Sequence, residues 1–211
     1  MSATAEQLEL VPATAPQPPP VVIVGTGPAG IRVARELLRR SPDTPIVIFG
    51  GEPWEPYNRV RLSSVLSGET DLAAIGNPLE VPEAAAVVQH HNCPVVSIDR
   101  RARTVTDDRG GVHAYQVLVL ATGSRPHLPA IPGLNRPGVF TFRDLDDVQR
   151  LLARRVRSRR TLVLGGGLLG LEAARGLQSA NTEVTVVDHA PSLMVRQLDA
   201  EAAERLREHV L

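Results

Sequence analysis

Apolar positions along this chain follow two signatures, short continuous runs and a three-to-four-residue spacing, and their alternation predicts the architecture. Val21 to Val24 is an unbroken β-branched run, the pattern of a strand buried on both faces. In "PAGIRVARELLRR", which follows, Ile31, Ala34 and Leu37 or Leu38 share one helical face. Pro45 to Phe49, "PIVIF", reads as a second buried strand, so the first unit is strand, helix, strand with a right-handed crossover and parallel strands. The stretch "GGEPWEPYNRVRLSSVLSGE" has weak periodicity and reads as a long loop shaped around something rather than a packed element. Three short strands, Pro94 to Asp99, Ala102 to Asp107 and Ala114 to Gly123, are predicted to form a β-meander, with "DRGG" turning between the last two. A Pro/Gly-rich connector, "RPHLPAIPGLNRPG", leads to Asp144, which caps an amphipathic helix, "DLDDVQRLLARRV". Thr161 opens a second strand, helix, strand unit, "TLVLG", "LLGLEAARGLQSA" and "EVTVVD", and "DAEAAERLREHVL" begins a further helix. The two units recur at an offset of roughly 140 residues, far too sparse for a solenoid.

Composition narrows the partners. With 23 basic and 23 acidic residues the formal charge is zero, which argues against nucleic acid or an anionic membrane as the main partner. All the basic residues are Arg, so Schiff-base chemistry on a Lys is excluded. The single cysteine, Cys93, rules out an internal disulfide, a dithiol pair and a Cys-rich zinc site, and fits a reducing cytosol. The longest apolar runs, around Val21 and Val117, fall well short of the ~20 residues a membrane span needs. Residues 1–20 lack the charged and apolar regions of a signal peptide, and their Ala/Pro/Gln content predicts a disordered leader. "HHNC" at His90 to Cys93 has no partner set for a metal, and "RRVRSRR" at Arg154 to Arg160 reads as a solvated helix end.

The candidate chemistry lies in the glycines. Gly25, Gly27 and Gly30 form G-x-G-x-x-G between a buried strand and a helix, where they allow a tight turn, close approach of a pyrophosphate and close helix–strand packing. Phosphates meet free N–H groups at the positive end of that helix. Glu52 follows the second strand about 20 residues after the glycines, where an acid accepts hydrogen bonds from an adenosine ribose. Gly165, Gly167 and Gly170 repeat the pattern, and Asp188 closes the strand "VTVVD" at the matching distance. An acid there repels a 2′-phosphate and favours NADH over NADPH, although Arg196 is near enough in sequence to keep NADPH open. Two dinucleotide units in one chain point to hydride transfer from a nicotinamide to a flavin.

Together the two fingerprints, "YNRVRLSSVLSGE", "LVLATGSRP", "IPGL" and "VTVVDHAPSLMVRQLDAE" resemble the FAD-dependent pyridine-nucleotide oxidoreductases over about Val21 to Leu211. "EPWEPYNRVRLSSVL" and "LMVRQLD" look most like the flavin-binding part of the NAD(P)H nitrite reductase large subunit, with rubredoxin and ferredoxin reductases close behind. The resemblance implies an α/β fold of two Rossmann-like units, three-layered, with parallel sheets and a β-meander, both incomplete. It implies a leader over 1–20, an FAD-binding domain with the meander over 21–127, a connector and helix over 128–160, and the start of an NAD(P)H-binding domain over 161–211. By the same resemblance Gly25, Thr26, Gly27, Pro28, Ala29, Gly30 and Glu52 hold the ADP half of FAD. Arg59 faces the pyrophosphate or flavin, Val95 contacts adenine through its backbone, and Ala121, Thr122 and Gly123 form a second FAD signature. Gly165, Gly167, Leu168, Leu169, Gly170 and Asp188 hold NADH, and Glu172 is the acid placed near nicotinamide and flavin as the catalytic candidate.

Departures from the family are equally informative. The disulfide reductases carry Cys-x4-Cys after the first unit, and the peroxidase and oxidase branch carries one redox Cys in the loop that here runs from Pro53 to Ser67 without any. Electrons on reduced flavin are therefore expected to leave for a redox protein or a downstream reductase module. Ser64, where rubredoxin reductases often have Lys, favours the nitrite-reductase-like assignment. The family's fold continues beyond this chain, which leaves three readings open: the N-terminal part of an FAD- and NADH-dependent oxidoreductase, a nucleotide-binding module without catalysis, or a half completed by another chain.

Overall fold

The computed structural model describes residues 18–178 and 182–210. Residues 1–17 of the expected leader lie outside the described residues. In chain order the elements are β1 (Val21–Val24), α1 (Pro28–Arg40), β2 (Ile46–Phe49), α2 (Leu62–Ser67), β3 (Val87–His90), β4 (Val95–Asp99) and β5 (Thr104–Asp107). They continue with β6 (Val112–Ala114), β7 (Val117–Leu120), α3 (Leu145–Arg155), β8 (Arg160–Leu164), α4 (Leu168–Leu177), β9 (Glu183–Val187) and α5 (Ala200–Val210).

The first sheet is wholly parallel, in the order β3-β2-β1-β7. Of its two inner strands, β1 is buried along its whole length, as its β-branched run requires. Ile31 and Ala34 of α1 are fully buried against Val21, Ile23, Ile46 and Ile48, with Leu37 and Leu38 packed at the edge of that cluster. The helix boundaries match the sequence pattern because Pro28 stands at the first helical position and Ser41 ends the last turn. The second parallel pair, β8 and β9, packs beneath α4.

Three expectations are corrected. The third meander strand is not Ala114 to Gly123: β6 ends the antiparallel β4-β5-β6 sheet at Ala114, and β7 leaves it to pair in parallel with β1. The break falls at the buried Tyr115, whose N–H bonds Arg103, and at Gln116, whose N–H bonds Pro20. Val87–His90, unassigned from sequence, forms the edge strand β3 beside β2. The expected featureless loop contains α2, whose Leu62, Val65 and Leu66 are all buried and which ends at Gly68 in the left-handed region with φ 79°.

That short helix joins the two units. Leu66 shares a core with Leu151, Ala173 and Leu177. A Cβ on Gly176 would lie 2.9 Å from Leu66 Cγ, so only glycine lets α4 approach α2 this closely. Arg155 spans the junction, donating to the carbonyls of Leu66 (3.0 Å) and Gly176 (2.9 Å), two helix-end acceptors with no partner inside their own helices.

Asp107, at the end of β5, ties together the turn into β6. Its Oδ1 accepts from the N–H groups of Arg109 (2.9 Å) and Gly111 (2.8 Å), and its Oδ2 lies 2.8 Å from His113 Nε2. His113 first, and then the Gly111 amide, hold this carboxyl down at about 2. A carboxyl depressed on folding stabilises above its ordinary value of 3.8, and the gain is lost as pH falls from there to about 2. Thermal melts from neutral pH down to 2 are therefore expected to show a steeper acid loss for the native chain than for Asp107→Asn. Equal slopes would remove Asp107 from the account.

Candidate functional site: two glycine turns and a shared cavity

Both fingerprints fold as their spacing predicts. Gly25 sits at φ +116° and Gly165 at φ +120°, a backbone open to glycine alone, and each donates its N–H to the end of the neighbouring strand, at Phe49 (2.7 Å) and Val187 (2.8 Å). A Cβ on Gly30 would lie 1.9 Å from the Gly25 carbonyl oxygen, and one on Gly170 would lie 1.9 Å from that of Gly165. Nothing stands within 4 Å of a Cβ at Gly27 or Gly167, the N-caps of α1 and α4. In each triplet the first and third glycines serve the fold, and the middle one leaves an open cradle over free helix N–H groups, the shape a diphosphate fits. Neither helix has a side chain capping these donors.

Ala121 to Gly123 is drawn to the first turn from far along the chain. The Ala121 N–H bonds the Val24 carbonyl at 2.8 Å, and a Cβ on Gly25 would strike the Ala121 carbonyl at 2.1 Å. Val95 begins β4 and packs against the cluster of Val22, Phe49, Cys93 and Val105 where the parallel sheet meets the meander. Cys93 in that cluster is buried, and burial pushes its thiol up, away from the reactive thiolate form.

Asp188 turns onto the second glycine loop. Its Oδ1 accepts from Ala190 N–H (2.7 Å) and its Oδ2 from Gly166 N–H; the Ala190 amide first, then that of Gly166, hold the carboxyl below its usual range. A groove of about 980 Å³ runs past Gly165, Gly167, Asp188, His189 and Arg196, so the acid and the arginine of opposite cofactor preference line one surface.

Glu52 has both carboxylate oxygens partnered within its own loop. Its Oε1 pairs with Arg59 Nη2 and its Oε2 accepts from the Tyr57 hydroxyl at 2.6 Å, so both oxygens are engaged away from the glycine loop. Tyr57 is buried, and that burial, with Glu52 beside it, pushes its hydroxyl well above the usual phenol range. The same hydroxyl accepts from Leu145 N–H at the start of α3 (3.2 Å), Arg59 Nη1 donates to the Arg143 carbonyl (2.8 Å), and Trp54 Nε1 donates to Asp146 (3.0 Å). Tyr57 and Trp54 thus anchor their loop. Arg143 and Leu145 carried no signal in the sequence, because their partners lie 84 and 88 residues away.

A cavity of about 360 Å³ connects the two halves. Pro28 from α1, Leu168, Leu169 and Glu172 from α4, and Arg59 and Arg143 all line it. Glu172 is half-buried and its carboxylate has no hydrogen bond or ion pair among the described residues. The N-termini of both fingerprint helices, the expected acid and the expected arginine therefore face one space, and Glu52 reaches it only through Arg59.

The chain is similar to known proteins over most of its length. The chain is 43% identical over 189 residues to the nitrite reductase [NAD(P)H] of Bacillus subtilis (strain 168), covering 89% of this chain and 24% of that protein. It is 38% identical over 183 residues to the ferredoxin–NAD(+) reductase component of the anthranilate 1,2-dioxygenase system of Burkholderia cepacia, covering 85% and 45%. The crystal structure of the ferredoxin reductase for the CYP199A2 system from Rhodopseudomonas palustris superposes with a TM-score of 0.82 at 31% identity, over 90% of this chain and 47% of that one. The chain thus spans from a quarter to just under half the length of these relatives. Residues 19–211 match the pyridine nucleotide-disulphide oxidoreductase family, and the chain belongs to that family.

Proposed function

We propose that this chain is the FAD- and NADH-binding part of an electron-transfer oxidoreductase, with FAD on the first glycine turn and NADH on the second. The observation that carries this reading is the cavity lined by the N-termini of both fingerprint helices, with Glu172 and Arg59 in its wall. FAD, when bound, accepts a hydride from the nicotinamide and releases electrons onward. Gly25 to Gly30, with Ala121 to Gly123 against them, hold its ADP half; Arg59 supplies a cation beside the α1 N-terminus; Val95 offers its backbone at the sheet–meander joint. Gly165, Gly167, Leu168, Leu169 and Gly170 hold the second diphosphate. Asp188, kept ionised by two backbone amides, disfavours a 2′-phosphate and makes NADH the better donor. Glu172 is the group placed to set the charge beside the two rings.

The relatives named for ferredoxin reduction or nitrite reduction support an electron acceptor that is a redox protein or a nitrite-reducing module, and the single cysteine, Cys93, supports a cytoplasmic location. No helix among the described residues is long and apolar enough to cross a membrane. A second reading, a nucleotide-binding half completed by further polypeptide, is favoured by Leu162 and Leu164 of β8, which are 59% and 51% exposed on one face of a sheet that has two strands among the described residues.

The test is the visible spectrum of the purified chain with FAD, before and after anaerobic NADH. Flavin absorbance that bleaches is the expected result. Bound flavin that NADH leaves unchanged favours the second reading, and a chain that takes up no FAD defeats the proposal.

A further inference from the structure

We propose that Glu52 is a positioning residue for Arg59 and not a ligand of a cofactor ribose, an inference that rests on FAD occupying the first glycine turn. The two turns of this chain supply their own comparison. Gly25 N–H bonds Phe49 as Gly165 N–H bonds Val187, so the counterpart of Asp188 is the residue after Phe49, which is Gly50. A Cβ at Gly50 would meet Thr26 Cγ2 at 2.8 Å, whereas Asp188 lies against Gly166, the counterpart of Thr26. The Thr26 side chain fills the space that the carboxylate takes in the second turn. The first turn has no acid at that place, and Glu52 stands two residues further on.

What Glu52 does instead is visible in its partners. Arg59 is held by Glu52 through Nη2, by the Arg143 carbonyl through Nη1, and over the Tyr57 ring at 5.3 Å from its centroid. The Glu52 and Arg59 side chains are only 29% and 23% exposed, so the pair is shielded as an ordinary surface pair is not. A free arginine loses rotamer entropy when it meets an anion, and one already fixed by a carboxylate and a carbonyl loses much less. The guanidinium keeps donors to spare, since it carries five N–H groups and these contacts use two. Arg59 and Pro28 line the same cavity, which places those donors near the α1 N-terminus, where a diphosphate sits. Glu52 acts on the cofactor through Arg59.

A double-mutant cycle on the full chain, read by quenching of FAD fluorescence, tests this. Arg59→Ala and Glu52→Ala are each expected to weaken FAD binding about tenfold, the effect of losing or misplacing a charged hydrogen-bond donor. The double variant is expected to bind FAD as well as Arg59→Ala alone, or better, because an unpaired Glu52 beside the phosphates repels them. Tyr57→Phe, which removes one hydroxyl, is expected to weaken binding alone and to add nothing to Arg59→Ala. Circular dichroism confirms that each variant is folded, and should Glu52→Ala fail to fold, the Tyr57→Phe pair carries the test. Losses that multiply in the double variants overturn the positioning role while leaving FAD on the first turn. A native chain that binds no FAD overturns the proposed function and this role with it.

Discussion

A chain carrying Gly27→Glu is expected to keep its fold and to lose FAD binding by about a hundredfold or more. The residue is the N-cap of α1 at φ −69° and ψ 178°, ordinary extended backbone, and nothing lies within 4 Å of a Cβ built there. The added side chain therefore displaces no packed atom, and a carboxylate near a helix N-terminus interacts favourably with the helix dipole. The same carboxylate stands where a diphosphate must sit, and it satisfies the N–H groups the phosphates need. Two like charges ~4 Å apart near a protein surface repel by about 4 kcal/mol, and half of that already weakens binding roughly thirtyfold. Flavin fluorescence titration with a thermal melt separates the two effects. FAD binding of native strength by Gly27→Glu would take the cofactor off this turn.

The turns themselves were legible because glycine spacing, strand and helix all agreed locally. α1 occupies the residues its periodicity marked, and Asp144 caps α3 with its side chain on Asp147 N–H at 2.9 Å, as its position before an apolar repeat predicted. What the pattern missed depends on distant partners. α2 carries an i, i+3, i+4 spacing in Leu62, Val65 and Leu66, but six residues are too few to form a helix without the core supplied by α3 and α4. The expected strand from Ala114 to Gly123 merges the last residue of β6 with β7, and only their different neighbours, Thr104 and Val21, tell them apart. The same limit applies to Glu52, for which we propose a positioning role. Counting from the glycines finds an acid near the end of the second strand, but it cannot see that Gly50 holds the equivalent place or that Arg59 and Tyr57 have taken both oxygens.

The third glycine of each triplet makes the opposite case to the middle one. Gly30→Ala is expected to destabilise the chain by about 3 kcal/mol or more, the upper range for forcing atoms into a packed site. Its Cβ would lie 1.9 Å from the Gly25 carbonyl oxygen and 3.1 Å from the carbonyl carbon, and neither can rotate aside as a side chain could. Relief requires α1 to move away from β1, which opens the contact of the fully buried Ile31 and Ala34 with Ile23 and Ile48. For a chain of this size a loss of ~3 kcal/mol lowers the melting temperature by roughly 10 °C. Gly170→Ala meets the same obstacle at Gly165, 1.9 Å away, but among the described residues the cluster under α4 holds only Leu66, Leu151, Ala173 and Leu177 as buried members, so its melting shift should be smaller. Calorimetry of the two variants beside Gly27→Glu would show whether the glycines divide as the geometry says. A Gly30→Ala chain that melts with the native protein would mean that the helix has room to yield and that its close packing on β1 is not what glycine is there to permit.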